Sequence, residues 1–265
     1  MEDFYFAPFP PPPLLPSLPK TSRFEKIKKH CVHLVCQFMK ALLESHQRTK
    51  LDPTSDTLFY EYPRFVTHVD DGFIQQLTDL YRERLKPGMR IFDMMSSWIS
   101  HLPDDIEFEW VEGHGLNGEE LAKNPQLNHY FVQNLNENDQ LPFEDQSFDA
   151  VLNTVSVQYL QYPEAVFAEI YRILKPGGIA IFSFSNRMFY QKAIAAWRDG
   201  TEAQRIHLVK QYFQSVSGFG TPEVIEQISQ VPMMLQMLGM GGSDPFYAVI
   251  AERMEPLVQN STKSA

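Results

Sequence analysis

Four short stretches carry the side chains from which a site could be built. DMMSSW sets Asp93 before Ser96 and Ser97, GHGLN puts Leu116 beside Asn117, VQNLN holds Asn134 and Leu135, and NTVSVQYL carries Asn153, Ser156, Gln158 and Tyr159. Adjacent hydroxyls and backbone N–H groups at a tight turn suit an anion, and an asparagine amide suits a hydroxyl or an amino group. No catalytic dyad stands out, so the catalytic group is left unassigned and the chemistry points to binding and alignment. Ser185, Asn186, Arg187, Tyr190 and Trp197, with Tyr60, Tyr62, Arg64 and His68, mix polar and flat side chains as a small-ligand pocket does. His114 reads as a surface or helix-cap histidine and Asn136 as a solvated loop residue. Cys31 and Cys36 lie five apart in a helical pattern, on different faces, and no Cys/His cluster offers a metal site.

The elements that must position these residues alternate. Short β runs, RIFDM, EFEWVEG, HYFVQNL, FDAVLNT and GIAIFSFS, are interleaved with helical stretches such as EAVFAEIYRIL, and PFYAVIAER at 245–253 closes the series. Such alternation specifies a mostly parallel sheet with helices on both faces, and ligands then sit beyond the carboxyl ends of the strands. GFIQQLTDLYRERL reads as a helix ending before Lys86-Pro87-Gly88, and further helices are expected over 187–199 and 202–215. Residues 1–20 form a proline-rich arm, because successive prolines remove donors and fix φ. A helical extension occupies 21–88, beginning with an amphipathic helix from Thr21 to about Gln47, and the main domain spans 89–255 before a tail at 256–265.

The stretch LPFEDQSFDAVLNTVSVQYLQYPEAVFAEIYRILKPGGIAIFSFSN closely resembles the class I S-adenosylmethionine-dependent methyltransferases of the type 11 group, where LPF and SFD open the fourth strand and R-x-LKPGG precedes the fifth. The resemblance covers roughly Arg90 to Asn186. It implies a Rossmann-like α/β fold with a seven-stranded mostly parallel sheet, S-adenosyl-L-methionine as cofactor, and methyl transfer to a small molecule. The cofactor would meet Asp93, Met95, Ser96, Ser97, Leu116, Asn117, Asn134 and Leu135; the acceptor would meet Ser156, Gln158, Tyr159, Asn186, Arg187 and Tyr190.

Two turns depart from that family. Its first turn runs D-x-G-x-G-x-G, but Met95, Ser97 and Ile99 stand at the glycine positions, in a D-x-MSSW form shared with a subgroup of methyltransferase-like proteins. Either Ser96 and Ser97, aided by the N-terminus of a following helix, hold the cofactor's carboxylate, or Met95 and Trp98 fill its volume and the fold serves as a non-catalytic binding or regulatory scaffold. At the second turn the family's ribose-binding acid is replaced by Gly115, with Glu112 and Asn117 as the nearest substitutes.

The chain has 265 residues, 43% of them hydrophobic, and a formal charge of -10, which opposes binding to a phosphate backbone. Lys26, Lys28, Lys29, Lys40 and Arg48 make 21–50 basic, able to seat weakly on an acidic membrane surface or on the protein's own fold. No run approaches the roughly 18 apolar residues that span a bilayer, and MEDFYF lacks the basic start of a secretory signal, so a cytoplasmic location is expected.

Overall fold

The computed structural model describes residues 42–227 and 244–255. The proline-rich arm, both cysteines, most of the basic helix and the tail lie outside the described residues.

Seven strands form one sheet in the order β3-β2-β1-β4-β5-β7-β6. They are β1 (Arg90–Asp93), β2 (Trp110–Gly115), β3 (His129–Val132), β4 (Phe148–Thr154), β5 (Leu174–Phe184), β6 (Glu223–Gln227) and β7 (Phe246–Glu252). The first five are parallel and β7 is antiparallel to both of its neighbours. The order reverses between β1 and β4, which is where such a sheet opens a crevice. Residues 150–153 of β4 and 180–184 of β5 are buried, as strands covered on both faces require.

The helices are α1 (Asp56–Phe59), α2 (Asp71–Arg84), α3 (Gly118–Lys123), α4 (Pro163–Ile173), α5 (Ala195–Arg198) and α6 (Glu202–Gln214). In α2, Phe73, Leu77, Leu80 and Tyr81 recur at three- and four-residue steps and pack with Ile91, Val111, Leu152 and Ala248 on one face of the sheet. On the other face, Val166, Phe167, Ile170 and Ile173 of α4 meet Val151, Phe182 and Phe213. Pro at the first turn starts α4, and Asp70 caps α2 by accepting from Phe73 N.

Four expectations are corrected. Residues 42–49 form bends and a short 3-10 turn, Ser45–Arg48, rather than the end of an α-helix, because Arg48 folds back on Leu43 O and pairs with Glu164. The span 187–199 is helical only over Ala195–Arg198: Phe189 N donates to the Tyr159 hydroxyl and Lys192 is drawn into a buried ion cluster, which holds 187–194 as a loop. Pro176-Gly177-Gly178 lies within β5, with Gly177 at φ 77° and a register shift against β4, rather than preceding that strand. No helix follows the MSSW turn; β1 and β2 are joined by a loop, pinned by Asn124 to Ser97 O and the Ser100 hydroxyl and by Gln126 to Leu102. Among the described residues, no helix is long and apolar enough to cross a membrane.

Candidate functional site

A cavity of about 270 Å³ opens beyond the carboxyl ends of β1 to β4. Its floor is the turns after those strands; its roof is contributed by residues 56–69 and 187–189.

The first turn explains how the chain does without glycines. Met95 itself takes the left-handed conformation, φ 58°, at a cost of roughly 1–2 kcal/mol. His114 offsets that cost: its carbonyl accepts from Ser96 N at 2.6 Å and its ring Nδ1 accepts from Met95 N at 3.1 Å. With Nδ1 accepting, Nε2 carries the hydrogen and donates to Gln133 O at 2.8 Å. His114 is therefore a buried link between three strand ends and not a surface histidine, and burial pushes its pKa down to about 4. The space that the turn needs is provided by Gly115, where a Cβ would lie 2.6 Å from Ser96 O. The path of the first turn and the glycine at 115 are thus sterically linked, since the turn occupies the place where a side chain at 115 would start.

Both serine hydroxyls of the turn are also engaged. Ser96 Oγ donates to Asp93 Oδ2 at 2.5 Å and Ser97 Oγ to Glu120 Oε2 at 2.6 Å. The expected use of the Ser96 and Ser97 hydroxyls and of the Ser96 amide to hold a carboxylate is corrected, since all three already donate within the chain, while the Ser97 amide has no partner among the described residues. Asp93 is 3% exposed, and burial raises its pKa to about 6 against the hydrogen bonds from Ser100 and Ser96. Met95 and Trp98 both line the cavity without closing it.

Asn117 is likewise committed. Its Oδ1 accepts from Glu119 N and Glu120 N, capping α3, while its Nδ2 donates to Tyr60 O and Glu61 O. An amide with both hydrogens and both lone pairs in use has nothing left for a ribose hydroxyl. Glu112 is no substitute, since its carboxylate is held by His129 and Trp110 and stays out of the cavity. Leu116 and Leu135 do line the cavity, as does Asn134, whose Oδ1 accepts only Asn136 N. Asn136 is no solvated loop residue: it donates to Asp56 and Tyr159 O and accepts from Gln161 N.

At the fourth turn Ser156 lines the cavity with its hydroxyl buried and unpartnered among the described residues. Val155 is held at φ 44°, a strained value for a β-branched residue, by donating to Ser183 O. Tyr159 lines the cavity too, but Gln158 does not, because its amide turns back to Val155 O. From the roof come Tyr60, Arg64, His68, Arg187, Met188 and Phe189; burial lowers the pKa of His68. Arg64 stacks over Phe59 at 4.6 Å and Phe189 at 5.5 Å, and Arg187 pairs with Asp244. Asn186, Tyr62 and Tyr190 are exposed and away from the cavity, Ser185 accepts from Arg187 N, and Trp197 packs in the core against Phe184. Sequence reasoning missed Glu120, His101, Asp56 and Phe189, all of which line the cavity. A carboxylate in the first turn of the helix after β2 is the signal that could have found Glu120.

Strand order and cavity position define a Rossmann-like fold, and the LPF to KPGG stretch in the middle of the chain resembles that of class I S-adenosylmethionine-dependent methyltransferases. Residues 116–182 match the family model described as a methyltransferase domain. The chain is 31% identical over 69 residues to a malonyl-[acyl-carrier protein] O-methyltransferase of Marinomonas sp. (strain MWYL1), covering 26% of either chain. It is 30% identical over 107 residues to the sterol 24-C-methyltransferase erg6 of Schizosaccharomyces pombe, covering 37% of this chain and 28% of that one. It thus spans about a quarter of the length of the curated relatives it matches. Phosphoethanolamine N-methyltransferase 2 of Haemonchus contortus, solved with S-adenosyl-L-methionine, superposes with a TM-score of 0.49 at 19% identity, over 81% of this chain and 61% of that one.

The cofactor of this class is S-adenosyl-L-methionine, and the cavity fits it in part by a different route from the glycine cradle. Leu116 and Leu135 offer apolar walls, Asp93 and Glu120 bring carboxylates, and Ser156 supplies an unpaired buried hydroxyl.

Proposed function

We propose that the protein is an S-adenosylmethionine-dependent methyltransferase acting on a small molecule. The observation that carries this reading is the open cavity at the switch point of the sheet, lined from the ends of β1 to β4 and roofed by aromatic and cationic side chains. The cofactor, when bound, supplies a methyl group activated by a positively charged sulfur. Leu116, Leu135 and Asn134 hold its base, and Ser156 and Tyr159 face the transferred methyl. Transfer is an in-line displacement, so the main task of the protein is alignment and exclusion of water. The acceptor enters between the roof segments, where Arg64 attracts an anionic group and the rings of Tyr60 and Phe189 take a flat part. His68, kept neutral at pH 7 by partial burial, stands ready for a proton released by the acceptor. The absence of a nucleic-acid partner fits the acidic charge of -10.

A second reading, a non-catalytic scaffold, is favoured by the commitment of the Met95 amide and both serine hydroxyls of the first turn to the chain itself. Thermal unfolding with S-adenosylmethionine, S-adenosylhomocysteine and a nicotinamide dinucleotide separates the two. A ligand at a hundred times its dissociation constant adds about 2.7 kcal/mol. The methyltransferase reading expects stabilisation by the first two compounds and none by the third; no response at millimolar concentrations supports the scaffold.

A further inference from the structure

Asp93 and Glu120 are the cavity carboxylates that form no ion pair among the described residues; Asp93 accepts from the hydroxyls of the first turn, and Glu120 stands apart from it on α3. Glu120 is 6% exposed and faces the cavity. Ser97 Oγ donates to its Oε2 and Arg64 N to its Oε1, both at 2.6 Å. Among the described residues no lysine, arginine or histidine nitrogen forms an ion pair with it, whereas Asp56 is paired with Lys50 and Lys192. A carboxylate has about four acceptor directions, so two remain. A buried carboxylate is tolerated only when its acceptor sites are filled, and charge-assisted O–H donors fill them well. Its surroundings narrow the donor. Gly115 cannot carry a side chain beneath the Ser96 carbonyl, so no acid from the end of β2 reaches this wall, while Leu116 lies between Gly115 and α3 and lines the same cavity.

We propose that Glu120 accepts hydrogen bonds from the vicinal ribose hydroxyls of the bound nucleoside, a task moved from the end of β2 to α3. The proposal rests on the methyltransferase reading.

Titration calorimetry of the full chain and of Glu120→Gln tests it with three probes: S-adenosylhomocysteine, 5′-methylthioadenosine, which has ribose and base but no amino-acid part, and 2′-deoxy-5′-methylthioadenosine. Gln is nearly isosteric and can still accept from Arg64 N, so unliganded melting should stay close to that of the unaltered protein. The expected result is a weakening of the first two probes by about ten- to a hundred-fold. The deoxy compound should bind the unaltered protein more weakly than its parent, and the gap should shrink in Glu120→Gln. Equal affinities in both proteins, or a loss confined to S-adenosylhomocysteine, would overturn the proposal; the latter would place the ligand's ammonium at Glu120. If the unaltered protein binds none of the probes, the methyltransferase reading itself falls. Should Glu120→Gln not fold, Glu120→Asp, whose shorter reach should shrink the same gap, carries the test.

Discussion

Two buried groups of the first turn titrate in opposite directions. His114, with a folded pKa of about 4 against an unfolded value near 6.5, stabilises the fold above that unfolded value, and the contribution is lost as pH falls toward 4. Asp93, raised to about 6 from 3.8, stabilises below its unfolded value, and this is lost as pH rises through 6. Each is worth on the order of 3 kcal/mol, so between pH 4 and 6 they offset one another. Urea unfolding of Asp93→Asn should show stability falling as pH drops from 6.5 to 4, and of His114→Gln stability falling as pH rises from 4 to 6. The unaltered protein should be flatter than either; parallel curves would show that the two groups are not linked to folding in this way. Gly115→Ala brings a Cβ to 2.6 Å from the Ser96 carbonyl and should cost about 1–3 kcal/mol by denaturant unfolding. Gly115→Asp, which restores the family's acid, should cost at least as much and should weaken S-adenosylhomocysteine binding in calorimetry. At this scale the sequence disclosed which residues line the cavity better than what they do there. Asp93, Ser96 and Ser97 were legible from the turn, but the capture of the turn's donors by His114 and Glu120 depends on a strand and a helix 19 to 23 residues away.

Among the elements, the roof segment is anchored by an ion cluster. Lys192 is fully buried and donates to Thr54 O at 2.7 Å while pairing with Asp52 at 3.0 Å, and Lys50 joins through Asp56. Removing one member of a buried pair costs about 3–5 kcal/mol, because the other charge is left unmatched. Lys192→Met should lose stability in that range by urea unfolding, and limited proteolysis should then cut first within 49–69. Helices with a clear apolar stripe, α2 and α4, were visible in the sequence. The loop 187–194 was not, since QKAIAAWR reads as helix until Lys192 is known to be pulled into the cluster. β6 escaped notice because EVIEQ is short and sits at a partly exposed sheet edge, with burial too weak to print a hydrophobic run.

For the whole molecule, the fold was carried by one contiguous signal, the run from LPF to SFSN, because parallel strands buried on both faces write themselves as apolar runs. The crossover from β1 to β2 was beyond reach: a helix is the usual connection, and here α2, ahead of β1, covers part of that face while the loop is tied down by side chains from 124 and 126.

The position of β7 has a consequence for synthesis. It leaves the ribosome after the other six strands of the sheet, yet it lies between β5 and β6 and pairs with both. A nascent chain that has reached β6 has no neighbour for it, and β5 waits with one flank of unpaired amides and carbonyls. The cap of α2 waits as well, because Asp70 exchanges backbone-to-carboxylate hydrogen bonds with Asp244, 174 residues on. The part of the sheet built from β1 to β5 can therefore assemble first, but its closure waits until β7 has emerged, and the interval before it is when the chain is most open to pairing with the wrong partner.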